Sequence, residues 1–380
     1  MSTEAKKIAL LALTPQGFSL ALRLSGCFTM PHLYIASKLL NETKHLEAYT
    51  SFKDEEKAEA IFPIEGRLGE VVGELFTRYE ALIFIMATGI VVRSIAPYVQ
   101  DKLLDPAILV IDEKGHNVIS LLSGHVGGAN ALTLEVSDYL GANPVITTAT
   151  DVNQKGALDL LAQRLGVPLT PIRRQLKEVN ALLVAGEKVA LYSDLQVNLE
   201  KLKEAEGFTL FHSLEAFLSE ETLKEYKKLI YITYKKVGIQ DELPIRERSK
   251  VLKLTPKNLV LGVGCRKDTQ PLHMREVFEA FLVKEDLSKE AFYQIGSIDI
   301  KKDEQAIRTL AEDLALPFIT FSKEAIKEVE EQFEKSEFVK KQVGVYAVAE
   351  PVAYLLSGHL LIEKQKYEGI TFAVGRIKND

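Results

Sequence analysis

Apolar runs of strand length recur along the 380-residue chain, and most are followed by a stretch in which apolar positions return every three or four residues. That alternation predicts a multi-domain α/β protein with mostly parallel sheets flanked by helices. In the first half the pattern predicts strands at 7–13, 32–37, 81–87, 108–112, 118–122 and 144–148, with helices at 16–24, 68–79, 88–98, 129–140 and 157–164. The run 81–87 is almost wholly apolar, as a strand covered on both faces must be. Residues 113–115 read as a turn, and Gly141 ends the helix before it. Shorter strands at 189–193, 209–212 and 229–233 alternate with charged amphipathic helices. A strand at 258–262 opens a last region with helices at 271–282, 303–314 and 323–333 and strands at 318–321 and 370–374. The expected division is an N-terminal α/β domain at 1–142, a smaller middle α/β domain at 143–235, a charged and proline-bearing linker at 236–257, and a separate α/β C-terminal domain at 258–380.

Composition narrows the classes. Hydrophobic residues make up 47% and charged residues 26%, which is ordinary for a globular protein. Acidic residues outnumber basic ones, 53 to 47, so a broad nucleic-acid footprint is not expected. Two cysteines, Cys27 and Cys265, cannot form a disulfide framework, which fits a reducing, cytoplasmic setting. The first apolar run is stopped by Thr14 and Pro15, and the run at 81–92 is broken by Thr88 and Gly89, so neither a signal peptide nor a membrane span is expected.

The densest chemical candidate is SGHVGGAN at 123–130, placed between an apolar run and a helix. Glycines there would let backbone N–H groups converge on a carboxylate or phosphate at the positive end of the helix, with His125 as acid, base or donor. The plainer reading is a tight turn whose helix is capped by Ser123 or Asn130. TTATD at 147–151 leaves a strand end, where hydroxyls and Asp151 could orient water or a substrate, or simply cap the next helix. Thr88 and Gly89 end another apolar strand, with Arg93 and Lys102 beyond as candidate carboxylate partners, although an exposed helix charge is the commoner role for a single Arg. In the last region GVGCRK at 262–267 lacks the third glycine of a dinucleotide fingerprint, but its backbone together with Arg266 and Lys267 makes an anion site. Cys265 beside that charge is read as a small packed residue rather than a nucleophile. The seven histidines form no metal-binding spacing, so no metal site is expected.

These strings together resemble the cobalt-precorrin-5A hydrolases (CbiG) of anaerobic cobalamin biosynthesis. The resemblance is carried by MATGIVVR at 86–93, Lys102, DPA at 105–107, LLSGHVGGAN at 121–130, VITTATD at 145–151, GVGCRK at 262–267, SIDIKKD at 297–303 and VAEP at 348–351. One departure stands out: where the family commonly continues Cys-Arg with Arg-Gly, this chain has Lys267-Asp268. The resemblance implies hydrolysis of the ring A δ-lactone of a cobalt-corrinoid, with the C20 carbon leaving as acetaldehyde and the macrocycle contracting. Water is then the co-substrate and no organic cofactor is needed. By chemical type, His125 would be the base, with Asp151, Thr148 and Thr150 assisting. Ser123, Gly124, Gly127, Gly128, Asn130 and Thr147 would line the oxyanion and substrate site. Thr88, Gly89, Arg93, Lys102, Gly264, Arg266, Lys267 and Glu350 would hold the polycarboxylate. The resemblance also implies a C-terminal domain that can occur alone. Beyond the corrinoid substrate, partners are neighbouring precorrin methyltransferases, with a homodimer left open. Two rival readings are a non-catalytic corrinoid carrier and an unrelated α/β enzyme acting on a phosphorylated metabolite.

Overall fold

The computed structural model describes residues 7–40, 61–148, 156–239 and 243–378, and divides into two compact units, residues 1–155 and 156–380. The first unit is built on a seven-stranded sheet in the order β3-β2-β1-β4-β5-β6-β7. Its strands are β1 (Ile8–Ala12), β2 (His32–Ala36), β3 (Ile61–Ile64), β4 (Ala81–Ile85), β5 (Ala107–Ile111), β6 (Asn117–Leu122) and β7 (Asn143–Val145). Every residue of β1, β4 and β5 is buried, because helices cover both faces of the sheet centre. The first five strands in this order are mutually parallel, as the alternating pattern predicts. β6 then runs antiparallel to β5, and β7 is parallel to β6.

The reversal is made at the predicted 113–115 turn. Gly115 sits at φ +71° and its N–H donates to the Asp112 carbonyl at 2.8 Å. The Asp112 carboxylate accepts from the backbone of Lys114, His116 and Asn117 at 3.1, 3.3 and 2.7 Å. Burial alone would raise its pKa, but these bonds outweigh burial and hold the carboxyl below its ordinary range. Asp112 therefore stabilises the hairpin at neutral pH and loses that contribution as pH falls through its depressed pKa.

The second unit contains two sheets. One is parallel, in the order β11-β10-β8-β9, from β8 (Val189–Ser193), β9 (Thr209–Phe211), β10 (Lys228–Ile232) and β11 (Val251–Leu254). The other runs β14-β13-β12-β16-β15, from β12 (Leu259–Cys265), β13 (Phe292–Ile298), β14 (Phe318–Phe321), β15 (Leu360–Lys366) and β16 (Ile370–Arg376). Here β12, β13 and β14 are parallel, and β16 is antiparallel to both β12 and β15.

Two expected boundaries shift. β7 joins the first sheet, so a division at 142/143 would cut a strand from its partner. β11 lies inside the expected linker at 236–257 and pairs with β10, which its few apolar residues in a charged stretch did not disclose. β3 was not expected either; Pro63 interrupts its pattern and is tolerated because β3 is an edge strand.

The helix Ala349–Ser357 lies directly on the C-terminal sheet because the strands beneath it present glycine. A Cβ on Gly262 would stand 2.0 Å from the Ala349 carbonyl oxygen, and one on Gly375 would stand 2.7 Å from that of Ala353. Backbone cannot yield as a side chain can. Gly262→Ala should therefore destabilise the protein by about 3 kcal/mol, the upper end for overpacking a tight core. Urea denaturation followed by circular dichroism checks this, and an unchanged midpoint would show that the helix can lift without cost.

Candidate functional site

In the first unit the register decides which candidates meet. Ile85 pairs with Ile111, Ile111 with Val118, and Ile108 with Leu122. The end of β6 therefore lies at the sheet edge opposite to the end of β4. The 123–130 loop leaves one edge, while Thr88 and Gly89 leave the other. Arg93 stays with the latter, since its guanidinium reaches back to within 3.6 Å of where a Gly89 Cβ would stand. Thr88, Gly89 and Arg93 thus form one group and residues 123–130 another.

The second group is dense. Ser123, at the end of β6, has φ +56° and a buried hydroxyl without a hydrogen-bond partner among the described residues. A Cβ on Gly127 would strike the Ser123 Cβ at 2.4 Å, and one on Gly124 would strike the Asn130 Oδ1 at 2.7 Å, so both positions require glycine. Gly128, at φ +84°, starts the helix Ala129–Leu140. Neither Ser123 nor Asn130 caps that helix with its side chain. The loop instead satisfies itself, with Gly128 N donating to the His125 carbonyl at 2.9 Å, Ala129 N to Ser123 at 3.1 Å and Asn130 N to Gly124 at 2.9 Å. The expected cradle at the helix terminus is correspondingly narrowed. Gly124 N and Gly127 N make no backbone hydrogen bond of this kind among the described residues.

Asn130 is buried and ties three segments together. Its Oδ1 accepts from the Ser120 hydroxyl at 2.6 Å, and its Nδ2 donates to the Thr148 Oγ1 at 3.0 Å. It therefore positions Thr148 beside the loop. Thr147 is exposed next to it, and His125 is half-buried in the loop itself. The 101–105 turn joins the same group, because a Gly127 Cβ would lie 3.4 Å from the Asp105 carbonyl. Asp105 is buried and accepts from the backbone of Gln100 and Asp101, at 3.1 and 3.0 Å for its Oδ2, fixing the turn that carries the exposed Lys102. Ser120 carried no sequence signal, and Asp105 stood in the sequence only as one of the charges after the 88–89 strand end and in the DPA string. Thr150 and Asp151 lie outside the described residues.

In the second unit a cleft of about 1300 Å³ opens where β12 and β13 end, and Gly264, Arg266, Lys267 and Glu350 all line it. This volume exceeds the roughly 300 to 1000 Å³ of ordinary small-ligand pockets. Arg266 and Lys267 are exposed at its wall, with Lys301, Lys364 and Lys366 also lining it. Phe338 and Ile300 add exposed apolar surface. Glu350 is buried and serves the framework: its Oε1 accepts from Lys364 N at 3.2 Å and its Oε2 stands 3.6 Å from the Lys364 ammonium. Cys265 lines the same cleft, and burial pushes its thiol up to about 11, so it is protonated and weakly nucleophilic at neutral pH.

The departure at Lys267-Asp268 has a geometric meaning. Asp268 adopts φ +58°, a left-handed conformation that glycine takes without strain and aspartate tolerates. Asp268→Gly should raise stability by about 0.5 to 1 kcal/mol through relief of that strain. A thermal melt that falls rather than rises would show that the aspartate side chain secures the turn.

Known proteins resemble this chain over most of its length. Residues 70–151 match the family model described as cobalamin synthesis G N-terminal, residues 156–245 the cobalamin biosynthesis central region, and residues 259–375 the cobalamin synthesis G C-terminus. The cobalt-precorrin-5A hydrolase of Salmonella typhimurium is 40% identical over 377 residues, covering 98% of this chain and 99% of that protein. The cobalt-precorrin-5A hydrolase of Priestia megaterium is 32% identical over 382 residues, covering 100% and 97%. A crystal structure of a cobalamin biosynthesis protein G homologue from Sulfolobus solfataricus is 21% identical, covers 97% of this chain and 96% of that one, and superposes with a TM-score of 0.38. With three family regions in order and relatives aligned over nearly their whole length, the chain belongs to the cobalt-precorrin-5A hydrolase family.

Proposed function

We propose that this protein hydrolyses the ring A δ-lactone of cobalt-precorrin-5A and releases the C20 carbon as acetaldehyde, giving cobalt-precorrin-5B. The observation that carries the reading is the full-length relationship to cobalt-precorrin-5A hydrolases at 40% and 32% identity. Water is the co-substrate and no organic cofactor takes part; the cobalt arrives with the substrate.

The chemistry needs a base for water, a donor for the tetrahedral oxyanion and a proton source for the leaving oxygen. His125 takes the proton from water as the hydroxide adds to the lactone carbonyl, and returns it to the ring oxygen as the C–O bond breaks. The freed C20 hydroxyl then gives its proton to His125 as the bond from C20 to the macrocycle breaks, C20 leaves as acetaldehyde, and the electron pair left on the macrocycle carbon takes up that proton. Gly127 N–H is the oxyanion donor in preference to Gly128 N–H, which is already bonded to the His125 carbonyl. Thr148, held by Asn130, offers a hydroxyl to water or substrate. Asp151 and Thr150 complete the assignment as orienting groups. Lys102 meets a substrate carboxylate from the same edge, whereas Thr88, Gly89 and Arg93 act at the other edge of the sheet. The C-terminal cleft contributes affinity through Arg266 and Lys267, and its protonated Cys265 is a packing residue.

Acetaldehyde release from the cobalt-precorrin lactone is the primary test, read by coupled reduction of the aldehyde. Binding of the corrinoid without release would instead support a carrier. His125→Ala should lower release by about 10²-fold with the fold intact, the scale of a lost general base. A folded variant with nearly full activity would remove His125 from the mechanism.

Arg266→Ala combined with Lys267→Ala should raise KM with kcat little changed, since carboxylate contacts distant from the reacting bond hold ground and transition states alike. A fall in kcat at unchanged KM would place this loop in the reacting site. Cys265→Ser should keep most activity, and a covalent substrate adduct on its sulfur would refute the packing role.

A further inference from the structure

The cleft wall contains an ion pair that the proposed chemistry does not use. Lys301 Nζ stands 2.8 Å from Glu304 Oε2, and the two side chains are only 11% and 8% exposed. Removing two charges from water costs several kcal/mol per ion, so such a pair is poor evidence of stability in itself. Its other bonds are more informative. Glu304 Oε1 accepts from the backbone N–H of Thr269 at 3.2 Å, and the Thr269 hydroxyl donates to the Arg266 carbonyl at 2.8 Å. Arg266 N donates to the Gly369 carbonyl at 2.9 Å, and the Arg266 stem passes so close to Gly369 that a Cβ there would stand 2.9 Å from its Cδ. The turn carrying Arg266 and Lys267, with Asp268 at its left-handed position, is thus clamped from one side by β16's approach at Gly369 and from the other by Glu304.

We propose that the buried Lys301–Glu304 pair is the positioning device of the C-terminal cleft: Lys301 holds the Glu304 carboxylate, which holds the 266–269 turn so that Arg266 and Lys267 face a polycarboxylate ligand. The inference rests on the reading that this cleft binds the corrinoid. It adds two positioning residues, neither of which need touch the ligand. A preset turn spares the ordering of two long side chains and their loop on binding.

The test is a double-mutant cycle on the full chain, with cobyrinic acid, a cobalt-corrinoid polycarboxylate, as the probe in absorbance titrations. Glu304→Ala should weaken binding about tenfold, a modest loss for misplacing a contact that stays present. The Arg266→Ala, Lys267→Ala pair should then cost much less in the Glu304→Ala background than in the wild type, because the two cations are already misdirected. Glu304→Gln keeps an acceptor for Thr269 N–H but loses the ion pair, so an intermediate loss is expected. It also carries the cycle should the alanine variant fail to fold. Fully multiplicative losses would overturn the proposal, since they would mean that Glu304 acts on stability or on an independent contact. So would the absence of saturable binding to the wild-type chain. Failure of the enzymatic reading shows itself separately, as cobyrinic acid binding without acetaldehyde release from the lactone.

Discussion

The reversal of chain direction between β5 and β6 governs the first unit. An all-parallel sheet would send every strand-to-helix loop to one edge, where ligands of open α/β sheets usually sit. Here the Asp112-capped turn folds β6 back along β5, and β7 follows β6. The Gly-rich loop and the threonines after β7 consequently emerge together at the edge from which β5 starts. The 101–105 turn, which leads into β5, joins them for the same reason. Had β6 run parallel, the loop that holds His125 would leave the sheet at the same edge as Thr88 and Gly89.

Within that edge the glycines act by subtraction. Gly124 and Gly127 are required because Asn130 and Ser123 occupy the space a Cβ would need. The loop is so tight that its carbonyls absorb the N–H groups of residues 128–130. What looks in sequence like an open anion cradle is a closed turn in which three of those donors are already bonded. The same principle serves the C-terminal sheet, where Gly262 and Gly375 admit the helix Ala349–Ser357 onto β12 and β16. That close approach places Glu350 at the cleft wall, tied to β15 through Lys364.

The two units offer different chemistry. The first supplies an imidazole, hydroxyls and a backbone donor at a compact turn, the inventory for hydrolysis. The second supplies a large cleft lined by cations, carboxylates and exposed apolar side chains. Beneath the Arg266–Lys267 turn lies the Lys301–Glu304 pair, whose side chains are 11% and 8% exposed.

The sequence by itself determined the α/β class, the buried central strands, the turn at 113–115 and the membership of the family, because each is written in local periodicity or in contiguous strings. It also singled out the loops at 123–130 and 262–267 as candidates. Strand direction, edge strands and boundaries were decided only by the tertiary structure. β3 and β11 are edge strands whose short patterns are broken by Pro63 and by flanking charge, so their pairing with β2 and β10 is what identifies them. The separation of Thr88, Gly89 and Arg93 from His125 follows from one antiparallel register, which no local pattern encodes. The roles of Asn130, Asp105, Lys301 and Glu304 depend on side-chain and backbone partners brought near by folding, and a buried polar side chain acquires its meaning only from the partners that surround it.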